Sequence, residues 1–129
     1  MPKQTLQLID DHFTIHSFPP LSPVPTAVLA SEIYFIGKTA DELSIVCDSD
    51  IPLDSEEEES GWRALEVLGP LGFSLTGILS NISGVLASAD ISIFAISTFD
   101  TDYILVKQAH VNTAIKALIK DGYKVLNPE

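Results

Sequence analysis

The stretch ISTFDTDYILV, running from Ile96 to Val106, places Asp100 and Asp102 close to the hydroxyls of Thr98 and Thr101 between two apolar runs. Two carboxylates at this spacing can work as a general acid and base, or line a ligand site. They equally suit the turn of a hairpin, because Asp and Thr side chains bond the backbone a residue or two along the chain. Acid–base work also calls for a nucleophile or a metal set, and neither accompanies this pair in the sequence. Catalysis is not expected, and the choice between ligand site and turn falls to the rest of the chain.

Other residues with chemistry in them lead less far. His12 and His16 stand four apart, a spacing that on a helix allows shared metal ligation. HFTIHS alternates like a strand, however, and there the same spacing puts both rings on one face about 13 Å apart. No metal site is expected. His110 has no sequence-near acid with which to form a relay. Cys47, the single cysteine, lies in the apolar run LSIVC without a histidine or basic neighbour to lower its pKa, and reads as a buried structural thiol. GPLG and GFSLTG contain glycines but match no phosphate-loop pattern. The run Glu56–Glu59 reads as a solvated acidic surface, since a calcium site needs an organised oxygen cage that a continuous run rarely supplies. No cofactor is implied by any of these motifs.

The chain has 129 residues, 46% of them apolar, with a mean hydropathy of +0.27, which is ample for a packed core. Its length suits one average domain, or two small units sharing a core, because a unit of about 60 residues is marginal alone. Eighteen acidic against seven basic residues give a formal charge of -11, which opposes broad contact with phosphates or anionic lipid. Neither nucleic acid nor membrane is an expected partner. The amino terminus MPKQTLQLIDDHF has no apolar signal segment, and no run approaches the roughly 20 residues that cross a bilayer. These features point to the cytoplasm.

The elements that must position the hairpin are clearest in the carboxyl half. GWRALEVLG reads as a strand from about Trp62 to Leu68, although WRALEVL alone equally suits a helix start. In TGILSNISGVLASAD, residues Ile78, Ile82, Val85, Leu86 and Ala89 recur at helical spacing, with Ser74 or Thr76 available as a cap. DISIFAIS predicts a strand over Ile91–Ser97, DYILVK another over Asp102–Lys107, and TFDT joins them as a hairpin. HVNTAIKALIKDGY predicts a helix with Val111, Ile115, Leu118 and Ile119 on one face, Lys116 and Lys120 outside, and Gly122 ending it. YKVL closes as a strand. This order, β-α-β-β-α-β, is the ferredoxin-like split motif, an α+β sandwich with helices on one face of an antiparallel sheet. Its edge strand, Ile91–Ser97, is apolar on both faces, which is normally avoided; another sheet or subunit is expected to cover it.

The amino-terminal half offers a fainter copy. Laid 60 residues apart, IYFIGKTADELSIV from Ile33 parallels IFAISTFDTDYILV from Ile93, as an internal repeat would. Pro19, Pro20, Pro23 and Pro25 leave room only for a short helix around Thr26–Ala30. DIPLDSEEEESG reads as a connector. The expected organisation is a degenerate unit over residues 1–60 and a full one over residues 61–129, pseudo-repeats of one fold.

The combination GPLGFSLTGILSNISGVLASADISIFAISTFDTDYILV, preceded by KTADELSIVC, resembles the small tandem ACT-domain proteins of bacteria and is similar to the ACT modules of arginine-sensing regulators in animals. TADELSIVC carries the likeness in the front unit, FSLTGIL in the loop entering the first rear helix, and STFDTDYILV in the rear hairpin. ACT modules bind amino acids at domain or subunit interfaces and regulate other activities. The resemblance therefore implies a non-catalytic regulatory protein that binds a free amino acid, forms a homodimer and acts on a regulated protein partner. It assigns Asp102 to the ligand's positive end, with Ser97 and Thr98 on the same hairpin. From the loop GPLGFSLTG it adds Gly72 and Phe73, and Thr76 with its hydroxyl. Gly72 and Gly77 would let backbone N–H groups approach an α-carboxylate near a helix amino terminus. The front unit lacks the glycine-flanked loop, so it matches no second pocket. The other reading keeps Thr98, Asp100 and Asp102 as turn formers in a module that binds no ligand and serves interaction or oligomerisation.

Overall fold

Alternate positions are buried along a long first strand, Leu6 and Leu8 and then Thr14, His16 and Phe18, with Phe13 buried on the side opposite Thr14, and a run of exposed residues from Asp10 to His12 interrupts the pattern. The computed structural model describes residues 3–68 and 77–127. Its elements are β1 (Thr5–Phe18), α1 (Thr26–Leu29), β2 (Phe35–Lys38), β3 (Leu43–Asp48), β4 (Glu57–Val67), α2 (Ile78–Ser88), β5 (Phe94–Ser97), β6 (Asp102–Lys107), α3 (Val111–Lys120) and β7 (Lys124–Leu126). By contacts the chain falls into two units, one holding residues 3–10 with residues from 63 onward, the other Asp11–Trp62. This differs from the division into residues 1–60 and 61–129 read from the sequence, because β1 and β4 each contribute to both.

The larger unit contains the βαββαβ order β4-α2-β5-β6-α3-β7, the ferredoxin-like arrangement. Its strands run β7-β1-β4-β6-β5. The start of β1 thus stands between the first and last strands of the motif, pairing in parallel with β7 through Thr5 and Lys124, Leu6 and Val125, and Gln7 and Leu126. On its other side, Leu68 N–H donates to the Thr5 carbonyl at 2.9 Å. A strand with one apolar side fits there because Leu6 and Leu8 complete a core with Leu65, Val67, Ile104 and Val106 below α2 and α3.

Helical periodicity is realised closely. Val111, Ala114, Ile115 and Leu118 are the buried positions of α3, while Ile119, expected on that face, is exposed because it falls one position beyond the contact arc. Ile82 and Leu86 anchor α2. Gly77 takes the N-cap place of α2 with φ +93° and has no side chain with which to cap it; Ser74 and Thr76 lie outside the described residues. The expected strand Ile91–Ser97 starts only at Phe94. Asp90 adopts φ 62°, and the Ile91 N–H donates back to Leu86 at 2.9 Å, so Ile91 turns into the core as a helix stop instead of extending the edge. The shortened β5 ends its strand order, paired with β6 alone among the described strands, so the cover expected for this edge is not supplied by them.

The smaller unit orders its strands β2-β3-β1-β4. Phe13 faces Asp48 and Phe18 faces Leu43 across β1 and β3, and Phe35 faces Val46 across β2 and β3. Phe18, Val28, Leu43, Ile45 and Cys47 form its core. Val28 is the sole buried residue of α1, a single turn that only packing can hold. The connector expected over DIPLDSEEEESG gives way to strand at its end: Glu57–Glu59 begin β4, and the Glu56 N–H donates to the Ser17 carbonyl at 3.0 Å. The glutamate side chains remain exposed, as expected, since the strand is held there by its backbone.

Candidate functional site

The hairpin of the opening stretch is built around Thr98. Its N–H donates to the Thr101 carbonyl at 2.8 Å, and its hydroxyl lies 3.2 Å from both the Thr101 N–H and the Thr101 carbonyl. Thr39 does the same in the front hairpin: its N–H bonds the Glu42 carbonyl at 2.9 Å, and its hydroxyl accepts from Glu42 N–H at 3.2 Å. The two turns thus repeat 59 residues apart, one residue off the spacing read from the sequence.

Beyond the turn, Ser97 and Asp102 face each other across the ladder, and the Ser97 hydroxyl donates to Asp102 Oδ1 at 2.5 Å. Side chains alternate along β6, so Asp102 shares the face of Ile104 and Val106, which is the helix-covered face. Asp102 is half-buried there, whereas Asp100 is exposed. Tyr103 points the other way and donates its phenol to Glu66 Oε2 at 3.1 Å. Burial first, then the Glu66 charge, pushes the Tyr103 phenol up. The Thr101 hydroxyl donates to the Val67 carbonyl and ties the turn to the end of β4. The hairpin turn and the end of β4 therefore meet at one end of this unit.

The start of α2 is held by a second set of contacts. Asn81 Nδ2 donates to the Tyr123 hydroxyl at 2.5 Å and to Asp121 Oδ2 at 3.2 Å, while Lys3 pairs with Asp121. Hydrogen bonds from Lys3 and Asn81 hold the Asp121 carboxyl below the usual carboxylate range. Gly77 stands at the mouth of this helix, its carbonyl taken by the Asn81 N–H at 2.8 Å.

Of the residues assigned from the sequence, Ser97 and Asp102 are brought into direct contact. Thr98 lies beside them with its hydroxyl engaged in the turn, and Gly77 opens α2. Gly72, Phe73 and Thr76 lie outside the described residues. Sequence reading missed Glu66, Thr101 as a tie to β4, and Asn81; of these only Glu66, between Leu65 and Val67, carried a signal, polarity within an apolar run.

The remaining chemistry-bearing residues do not converge. His12 is exposed, whereas His16 is 3% exposed, its Nδ1 lying 2.9 Å from Ser55 Oγ. Burial lowers the His16 pKa, and Glu58 pulls it the other way. Cys47 is buried, and burial followed by the neighbouring Asp48 pushes its thiol up. Among the described residues no three His, Cys, Asp or Glu side chains gather so as to hold a metal ion, and no helix is long and apolar enough to cross a membrane.

The strand order, the two helices on one face and the hairpin end together define an ACT-type regulatory domain, and residues 57–120 match the family model of the ACT domain. Over these residues the chain carries an ACT domain. It is similar to the cytosolic arginine sensor for mTORC1 subunit 1 of Bos taurus, at 37% identity over 129 residues, and to that of Homo sapiens, at 35% over 131. Each match covers 92% of this chain but 39% of the relative, so the chain spans about two fifths of the length of these curated relatives. Among solved structures, protein Atu0741 from Agobacterium tumefaciens superposes with a TM-score of 0.91 at 30% identity, covering 100% of this chain and 96% of that one.

Proposed function

We propose that this protein is a small-molecule sensor that binds a free amino acid at the hairpin end of its larger unit and passes the bound state to a regulated protein partner. The observation that carries the reading is Asp102, a half-buried carboxylate on the helix-covered face, oriented by Ser97 at the end of the fold where the hairpin meets β4. In this reading Asp102 accepts from the ligand's ammonium group. The first turn of α2 behind Gly77 offers N–H groups and the positive end of the helix dipole to its carboxylate. The resemblance adds Gly72, Phe73 and Thr76, which lie outside the described residues, and Thr98 borders the site. The names of the animal relatives make arginine the first amino acid to try.

Calorimetry with the twenty amino acids on the parent and on Asp102→Asn tests this. Asparagine keeps an oxygen for Ser97 while removing the charge, so binding should weaken by about 1.5–3 kcal/mol, the usual worth of a charged hydrogen bond. Equal affinity in the two proteins would remove Asp102 from the site. A parent that binds none of the twenty would favour the second reading, an interaction module without ligand. That reading draws on the hydroxyl of Thr98 being already engaged in the turn, as a pure turn former's would be.

A further inference from the structure

We propose that the uncharged, proline-rich stretch leaving β1 in the smaller unit, with the acidic cleft at its root, docks a segment of a protein partner that carries apolar side chains flanked by lysine or arginine. From Ser17 to Ser31 no residue is charged. Val24 and Val28 pack this stretch onto the core of the unit, yet Leu21 is 90% exposed and Leu29 52% exposed. The backbone that presents them is preset. Pro19, Pro20, Pro23 and Pro25 fix their own φ, the Ser22 N–H donates to the Pro19 carbonyl at 3.1 Å, and the Val28 N–H to the Pro25 carbonyl at 3.1 Å. A turn of this kind ordinarily carries Asn, Asp, Ser or Gly at its exposed positions. Leucine there finds no cover in its own unit, and because the loop is already ordered, a partner that covers it forfeits little conformational freedom.

Charge selects the occupant. Eleven of the eighteen acidic residues lie within Asp11–Trp62, where Lys38 is the only lysine or arginine, so this unit carries a formal charge of -10 out of the chain's -11. A cleft of about 390 Å³ opens beside Ile15 and Ser17 of β1 and is lined by Glu42, Glu57, Glu58 and Glu59. Ser17 stands four residues before Leu21, so the wall of the cleft and the exposed leucine are at most about 14 Å apart along the chain. Among the described residues no three acidic, histidine or cysteine side chains gather so as to hold a metal ion, and the cleft suits instead the ammonium or guanidinium group of a side chain. A second copy of this unit would bring like charge and be repelled, as would an anionic lipid surface.

Fluorescence anisotropy on the full chain, with a labelled peptide of leucine and lysine and no added amino acid, tests this independently of ligand binding at the rear hairpin. The parent should bind the peptide, with affinity falling as salt rises. Peptides with glutamate for each lysine, or serine for each leucine, should bind far more weakly. Leu21→Ser and Leu29→Ser change exposed side chains and should retain the parent's circular dichroism; together they should weaken binding about tenfold or more, the worth of one covered leucine. Leu21→Ser stands alone if α1 does not tolerate serine at Leu29. Glu57→Gln should weaken binding and flatten its salt dependence, whereas Asp50→Asn, which removes the same charge beyond the far end of β3, should leave it unchanged. A parent that does not bind, binding that survives the leucine substitutions, equal loss from Glu57→Gln and Asp50→Asn, or self-association of the parent that Leu21→Ser abolishes would overturn the assignment.

Discussion

Replacing Arg63 with alanine should destabilise the protein severely, although arginine is the residue most at ease on a surface. Its side chain is 1% exposed on β4, flanked by the buried Trp62 and Ala64. Nη2 donates to the Ile9 carbonyl at 3.0 Å and Nη1 to Gln108 Oε1 at 3.2 Å. Alanine deletes two buried methylenes, Cγ and Cδ, at about 0.8 kcal/mol each. It also leaves the Ile9 carbonyl without this donor, a loss of about 1–3 kcal/mol. Gln108 is exposed and can turn to water. The expected total is about 2.5–4.5 kcal/mol, or roughly 10–18 °C in Tm for a chain of this size. Methionine keeps most of the stem and removes a charge whose burial is itself unfavourable, so Arg63→Met should cost no more than about 2 kcal/mol. Urea unfolding followed by circular dichroism and by the fluorescence of Trp62, the single tryptophan, measures both. A loss under about 1 kcal/mol in Arg63→Ala would refute the packing argument. Equal damage from the two variants would show that the charge, and not the stem, holds this part of the core.

Acid should act through His16. Burial favours its neutral ring in the folded protein, so below the ordinary histidine pKa of about 6.5 the unfolded chain takes up the proton first. Stability present above that pH should fall as the pH drops toward the lowered folded value, and His16→Gln should flatten this part of a plot of urea midpoint against pH. The glycines of the larger unit should respond in opposite directions. At Gly84, within α2, an added Cβ would meet nothing within 4 Å, so Gly84→Ala should raise the unfolding free energy by about 0.5–1 kcal/mol. Gly122 has φ +101°, so Gly122→Ala should lower it by about 1–2 kcal/mol.

Local patterns were legible where the physics is local. The spacing of Val111, Ile115 and Leu118 determined α3 and its inward face, because a helix satisfies its own backbone and repeats every 3.6 residues. Gly122 marked its end, and TFDT marked the turn. Four prolines limited α1 to one turn. The candidate site was legible to the same extent: Ser97 and Asp102 meet because hairpin register follows from the turn between them. What tertiary structure decided involves partners distant in sequence. Glu57–Glu59 became strand because Ser17 supplies a backbone partner to the neighbouring Glu56, and a ladder bond does not depend on apolar side chains. Leu6 and Leu8 alternate like any half-buried strand, but only the gap between β4 and β7 places them. Arg63 and His16 are polar by type and buried by position, since burial depends on what covers a side chain and not on the residue itself. Ile91 left its strand for the core because the end of α2 offered its N–H a carbonyl and its side chain a place, neither of which is written in the alternation of its neighbours.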